Sequence, residues 1–176
     1  DGAFADAWDA FSPEDLKASI GNYDGIVIRS GTPLAAEALA EPGNLKAIAR
    51  AGVGVDNIDI PTATKHGIVV MNAPDGNTIS TAELTVALML AVSRNVAPAV
   101  QSLKEGRWDR KAYKGRLLTG KTAGIIGLGR IGRTVAERCR AFDMKVVGYD
   151  PFVAGDPELA KTITLVDELD DLLKQA

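Results

Sequence analysis

Four sets of residues in this chain could do chemistry. The first is Gly127-Leu128-Gly129-Arg130-Ile131-Gly132, a glycine spacing suited to a strand that turns directly into a helix. In such a turn Gly127 allows the tight bend, Gly129 lets backbone approach a pyrophosphate, and Gly132 lets helix and strand pack closely. The anion would then accept bonds from free N–H groups at the positive helix end. The second is Asp150, which closes the next apolar run and can accept from both hydroxyls of an adenosine ribose. Its charge repels a 2′-phosphate and no Arg or Lys follows at once, so the expected cofactor is NAD rather than NADP. Third come Arg29 and Arg50, each at the end of an apolar run. Arginine forks suit carboxylate and phosphate, although strand-end arginines also form ordinary surface ion pairs. Last are two single residues. His66 precedes a strand and reads as a surface turn residue, and Cys139 reads as a buried thiol of a reducing compartment.

These groups need a scaffold, and the apolar periodicity supplies one. Ser12-Pro13-Glu14-Asp15 is a helix start, with a serine cap, proline at the first helical position and acids in the positive-dipole turn. Residues 25–29, 45–50 and 68–72 read as buried strands with helical stretches between them. Residues 122–126 and 145–149 read as two more strands, with a helix over 133–141 between them and a short strand at 163–165 before a helix over 166–174. Strands alternating with helices imply parallel sheets, so the expected class is α/β. Asp143 stands where the turn after a helix usually has glycine, a left-handed position that Asp tolerates.

Residues 80–95 are apolar on nearly every side, with Ser80 and Glu83 spaced as a capping box. Such a helix needs cover on several sides, at a domain junction or a subunit interface. The stretch from Leu103 to Arg116 is basic and reads as a solvated loop. Turn residues Asn72 to Asn77 mark the boundary between two domains. A length of 176 residues, 46% hydrophobic and 24% charged, is ordinary for globular domains. A net charge of −3 speaks against nucleic-acid or acidic-membrane partners. No apolar run reaches spanning length and no signal-peptide pattern opens the chain, which leads to a cytoplasmic expectation.

At Arg50-Ala51-Gly52-Val53-Gly54-Val55-Asp56-Asn57-Ile58-Asp59 a more specific likeness begins. With Asn72-Ala73-Pro74, Gly76-Asn77-Thr78, Ala82-Glu83-Leu84 and the glycine turn, the chain resembles the D-isomer specific 2-hydroxyacid dehydrogenases. The resemblance implies a flavodoxin-like substrate-binding domain over residues 1–73 and a Rossmann NAD-binding domain over 74–176, both incomplete. Arg29 and Arg50 would face the substrate's phosphate and carboxylate. Backbone N–H groups around Gly52, Val53 and Gly54 would hold the carboxylate, with Val53 also near the nicotinamide. Arg130 and Ile131 would contact the pyrophosphate through backbone, alongside Gly127, Gly129 and Gly132, and Asp150 the ribose. Trp108 and Arg110 match residues that in some members reach toward a neighbouring subunit; ordinary burial is an equal alternative for Trp108.

The activity implied is NAD-dependent oxidation of a D-2-hydroxy acid by a homo-oligomer, a dimer or larger. Glyoxylate and hydroxypyruvate reductases share this pattern, as does an NAD-sensing transcriptional corepressor; no residue favours the latter. Hydride removal from a hydroxy acid needs a base for the hydroxyl proton. The resemblance assigns that task to a histidine supported by a glutamate, with an arginine on the substrate, all in a stretch past Ala176. No catalytic residue and no metal ligand set is therefore expected within these 176 residues, and the chain alone is expected to be inactive.

Overall fold

Ser12 begins the first helix as its sequence requires. In a computed structural model, which describes residues 5–7, 12–153 and 155–176, helix α1 covers Pro13–Ser19. The Ser12 hydroxyl accepts from the Asp15 N–H at 3.1 Å, and Asp15 reaches back to Ser12. That reciprocal cap satisfies donors the helix itself leaves open.

Contacts divide the chain into two units, Asp1–Asn77 and Thr78–Ala176. In the first, strands β1 (Gly25–Ile28), β2 (Ala47–Arg50) and β3 (Val69–Asn72) pair in parallel in that order. Ile28 pairs with Arg50 and Arg50 with Asn72, so the three strands end level. Leu16, Ile20, Leu34, Leu39 and Ile48 fill the core beneath them. Each such side chain contributes roughly 1.5–3 kcal/mol by leaving water.

Between β2 and β3 runs helix α2 (Ile60–Lys65), capped by Asp59, which accepts from the Thr62 N–H at 2.8 Å. The expected helix between β1 and β2 is instead a series of turns over residues 35–39. Pro33 and Pro42 bracket it, and Leu34 instead bridges to Ile58, its N–H donating to the Asn57 carbonyl at 2.7 Å.

The second unit opens with α3 (Thr78–Ser93), two residues before the expected cap, so Ser80 lies inside the first turn. Its buried face is Thr78, Ala82 and Val86, whereas Leu84, Leu88 and Val92 are exposed. Asn95 then adopts a left-handed conformation, φ 53°, and a second helix, α4 (Val96–Lys104), follows with Pro98 in its first turn. Sequence reading missed α4, although Asn followed by an early Pro is a stop-and-restart signal. Among the described residues no single helix is long and apolar enough to cross a membrane; α3 and α4 satisfy that test only as a pair bent by 62°.

Strands β4 (Thr122–Ile126), β5 (Lys145–Tyr149) and β6 (Thr164–Leu165) form the unit's parallel sheet in that order. The first two match the sequence expectation residue for residue. Helix α5 (Arg130–Ala141) crosses between them, starting three residues earlier than its apolar pattern indicates. Asp143 takes the left-handed conformation expected of it, φ 56°. Short helices α6 (Pro157–Ala160) and α7 (Leu169–Leu173) complete the unit. Its core gathers Ala82, Ile125, Leu128, Val135, Ala136, Cys139 and Val146. Burial raises the Cys139 thiol pKa, so it is an inert packing residue.

Candidate functional site

Ligands of α/β sheets bind beyond the carboxyl ends of the strands, and both units carry their candidate residues there. In the first unit Arg29 follows β1 and is exposed, and its guanidinium makes no ion pair among the described residues. Arg50 is the last residue of β2. Its Nε is buried without a hydrogen-bond partner, and its guanidinium lies so close to Gly52 that a Cβ there would collide with it. Gly52 has φ 158°, a conformation that L side chains rarely adopt.

The loop after β2 is tied from below. The Gly52 N–H donates to the Arg50 carbonyl at 2.8 Å, and the Ala73 N–H donates to the Gly52 carbonyl at 2.9 Å. Asn72 Nδ2 donates to the Val53 carbonyl at 2.7 Å. Asn57 Nδ2 reaches the carbonyls of Arg29 (3.1 Å) and Thr32 (2.8 Å), joining the loops after β1 and β2. Of the three N–H groups in the Gly52–Gly54 stretch, Gly52's is therefore spent. Those of Val53 and Gly54 have no acceptor among the described residues. Asn57 and Asn72 went unassigned in the sequence reading, where they were only part of the resemblance. A carboxamide next to a strand end was the available signal, because it can donate to a neighbouring loop.

In the second unit the glycine turn sits between β4 and α5. Gly127 has φ 91°, and its N–H donates to the Tyr149 carbonyl at 2.8 Å. A Cβ on Gly132 would strike the Gly127 carbonyl oxygen, and Ile125 lies just beyond. Glycine is therefore required at 132 for helix and strand to approach. The Leu128 side chain is fully buried. Its N–H donates to Asp150 Oδ2 at 2.7 Å, while the Phe152 N–H donates to Asp150 Oδ1 at 2.9 Å. These two bonds, Phe152's first, hold the Asp150 carboxyl below the usual carboxylate range; burial opposes them and the Arg133 charge assists. Arg133 Nε donates to the Leu128 carbonyl at 2.7 Å. The N–H groups of Gly129, Ile131 and Gly132 have no backbone acceptor among the described residues, and Arg130 opens α5 beside them.

The sequence-derived residues thus fall into two clusters. Arg29, Arg50, Gly52, Val53 and Gly54 share the first unit; Gly127, Gly129, Arg130, Ile131, Gly132 and Asp150 share the second. His66 stands apart from the first cluster as the exposed C-cap of α2. Trp108 is 73% exposed, so ordinary burial does not describe it.

The sequence profile described as D-isomer specific 2-hydroxyacid dehydrogenase, catalytic domain, matches residues 2–157. The chain belongs to this family. It is 50% identical over 163 residues to the D-3-phosphoglycerate dehydrogenase of Methanocaldococcus jannaschii, covering 93% of this chain and 31% of that protein. Among solved structures it is similar to D-lactate dehydrogenase from Aquifex aeolicus complexed with NAD and lactic acid. There the TM-score is 0.81 at 31% identity, over 91% of this chain and 48% of that one. It is also similar to an acyclic imino acid reductase in complex with NADPH and D-Arg, with TM-score 0.85 at 28% identity, over 96% and 53% of the two chains. The chain therefore spans about a third of the curated relative and about half of these solved neighbours.

Proposed function

We propose that this chain is the substrate-anchoring and dinucleotide-binding portion of an NAD-dependent D-2-hydroxyacid dehydrogenase acting on 3-phosphoglycerate. One observation carries the cofactor half of this reading. The Asp150 carboxylate is fixed by two backbone N–H groups at the end of β5 and kept ionised beside the glycine turn. Each oxygen retains a lone pair for a ribose hydroxyl, and the fixed negative charge disfavours a 2′-phosphate. The free N–H groups at the start of α5 suit a pyrophosphate. When bound, the dinucleotide supplies the hydride acceptor.

For the substrate, the buried and unpartnered Arg50 Nε supports an anion seated on that guanidinium. Val53 and Gly54 offer N–H groups to the same anion, and Arg29 offers a second cation for a doubly anionic substrate. Residues 1–73 are assigned to substrate binding and 74–176 to the dinucleotide. Val53 would also lie near the nicotinamide. The base that accepts the hydroxyl proton is assigned to the part of the relatives' length outside these 176 residues. His66 is exposed at a helix end, outside the Arg50 loop.

The exposed stripe Leu84, Leu88 and Val92 with Trp108 supports a homo-oligomer built on α3. Light scattering should then give a mass above 18.5 kDa, and charged substitutions on the stripe should lower it.

Equilibrium titration with NADH and NADPH tests the cofactor assignment. NADH should bind at least tenfold tighter; equal affinities or an NADPH preference would refute it. Turnover of 3-phosphoglycerate by the 176-residue chain above blank would contradict the placement of the base. A screen of 2-hydroxy acids on a protein spanning the relatives' full length decides the substrate, with 3-phosphoglycerate expected to give the highest kcat/KM.

A further inference from the structure

Leu128 is held at its side chain, its N–H and its carbonyl. The Leu128 side chain is fully buried and lies against the Gly148 backbone, where an added Cβ would meet its methyl carbons at 2.9–3.0 Å. The Leu128 N–H is held by Asp150 at 2.7 Å, and the Leu128 carbonyl is held by Arg133 Nε at 2.7 Å. A trans peptide is planar, with its C=O and N–H pointing in opposite directions. Fixing the Leu128 oxygen therefore fixes the Gly129 N–H, and that N–H has no acceptor among the described residues. Glycine's conformational freedom would otherwise let this peptide turn over at little cost.

We propose that Arg133 is a positioning residue for dinucleotide binding, which aims the free Gly129 N–H at the pyrophosphate by holding the Leu128 carbonyl. The inference rests on the dinucleotide reading above. Arg133 is itself steadied by Asp156, whose Oδ2 lies 3.8 Å from the guanidinium. Asp156 uses its other oxygen to cap α6, accepting from the Glu158 N–H at 2.9 Å. One carboxylate thus links the loop after β5 to the residue that orients the glycine turn.

Glutamine separates this role from a general charge effect. Its Nε2 stands the same number of bonds from Cα as arginine's Nε, so R133Q keeps the donor to Leu128 and discards the charge. R133M keeps the bulk and discards both. The side chain is 46% exposed, so neither change empties the core; R133A supplies the same measurement should R133M not fold. With the 176-residue chain and NADH, R133M should bind about five- to tenfold more weakly, the effect of losing one orienting bond. R133Q should stay within about twofold of wild type. The Gly129 amide resonance of the ligand-free chain should move in R133M and return toward wild type in R133Q. An R133M that binds like wild type overturns the proposal, and so does an R133Q as weak as R133M. Failure of the wild-type chain to bind NADH at all is a different result, which removes the dinucleotide reading itself.

Discussion

The loops after β2 and β4 both leave the carboxyl end of a parallel strand, the first from the centre of its sheet and the second from an edge, and they are built on opposite principles. After β4, every backbone direction that matters is set by the protein: Gly127 to Tyr149, Leu128 to Asp150 and to Arg133. The donors left over are neutral N–H groups, which a folded chain can hold ready without a ligand. After β2, Asn72 and Ala73 fix the backbone in the same fashion. There, however, the Arg50 Nε is buried without a hydrogen-bond partner among the described residues. Neutral donors can be arranged in advance at little cost, whereas a part-buried charge has to be balanced by something that arrives. On the proposed reading, the loop after β4 is a finished mould for a dinucleotide, and the loop after β2 is completed only by an anion.

The largest effect should come from closing the mould. A Cβ at 132 would overlap the Gly127 carbonyl, so Gly132→Val should abolish NADH binding and destabilise the second unit by ~1–3 kcal/mol, read as a lower urea midpoint. Next is Asp150→Asn, which retains an acceptor but not the charge; NADH affinity should fall about tenfold. Acid unfolding of the same pair tests the sign of the pKa shift. The folded pKa of Asp150 lies below the unfolded one. Its contribution is therefore present above about pH 4, the ordinary carboxylate value, and is lost as pH falls through the folded pKa. Wild type and D150N should differ at pH 7 and converge as pH falls through the folded pKa; a gap that widens in acid would reverse the assignment.

Arg50→Met probes the other loop. It should weaken anion binding about tenfold while leaving the urea midpoint without anion equal to wild type or above it, because an unpaired donor is removed. Millimolar sulfate, set against chloride at matched ionic strength, should raise the wild-type midpoint more than that of R50M. A large destabilisation in R50M without anion would show that Arg50 is structural. The smallest effect belongs to a charge pair that serves neither loop. Lys46 and Asp24 meet at 2.6 Å with both side chains 77% exposed, so Lys46→Ala should leave the midpoint within error.

The contrast also explains which features could be read from the chain itself. The glycine turn, β4, β5, the Ser12 cap and the left-handed Asp143 are local: a few neighbouring residues specify each one. The family assignment is likewise carried by contiguous motifs. The features missed depend on distant partners. Asn57 and Asn72 act across separate loops, and Arg133 looks on its face like a solvated helix residue. Only the start of α3 was misplaced, by two residues; which of its apolar faces is covered was not legible, and Leu84, Leu88 and Val92 lie exposed. Apolar periodicity reports that a face is greasy, and packing decides which greasy face is covered.

The central claim is that the second unit's mould holds the adenosine-diphosphate half of the cofactor through residues of this chain alone. Parallel titrations of the 176-residue chain with ADP-ribose and NADH test it most directly. The account predicts that both bind, with affinities within about threefold of each other, and that Gly132→Val removes both together. Absence of ADP-ribose binding, or NADH binding that survives Gly132→Val, would contradict it.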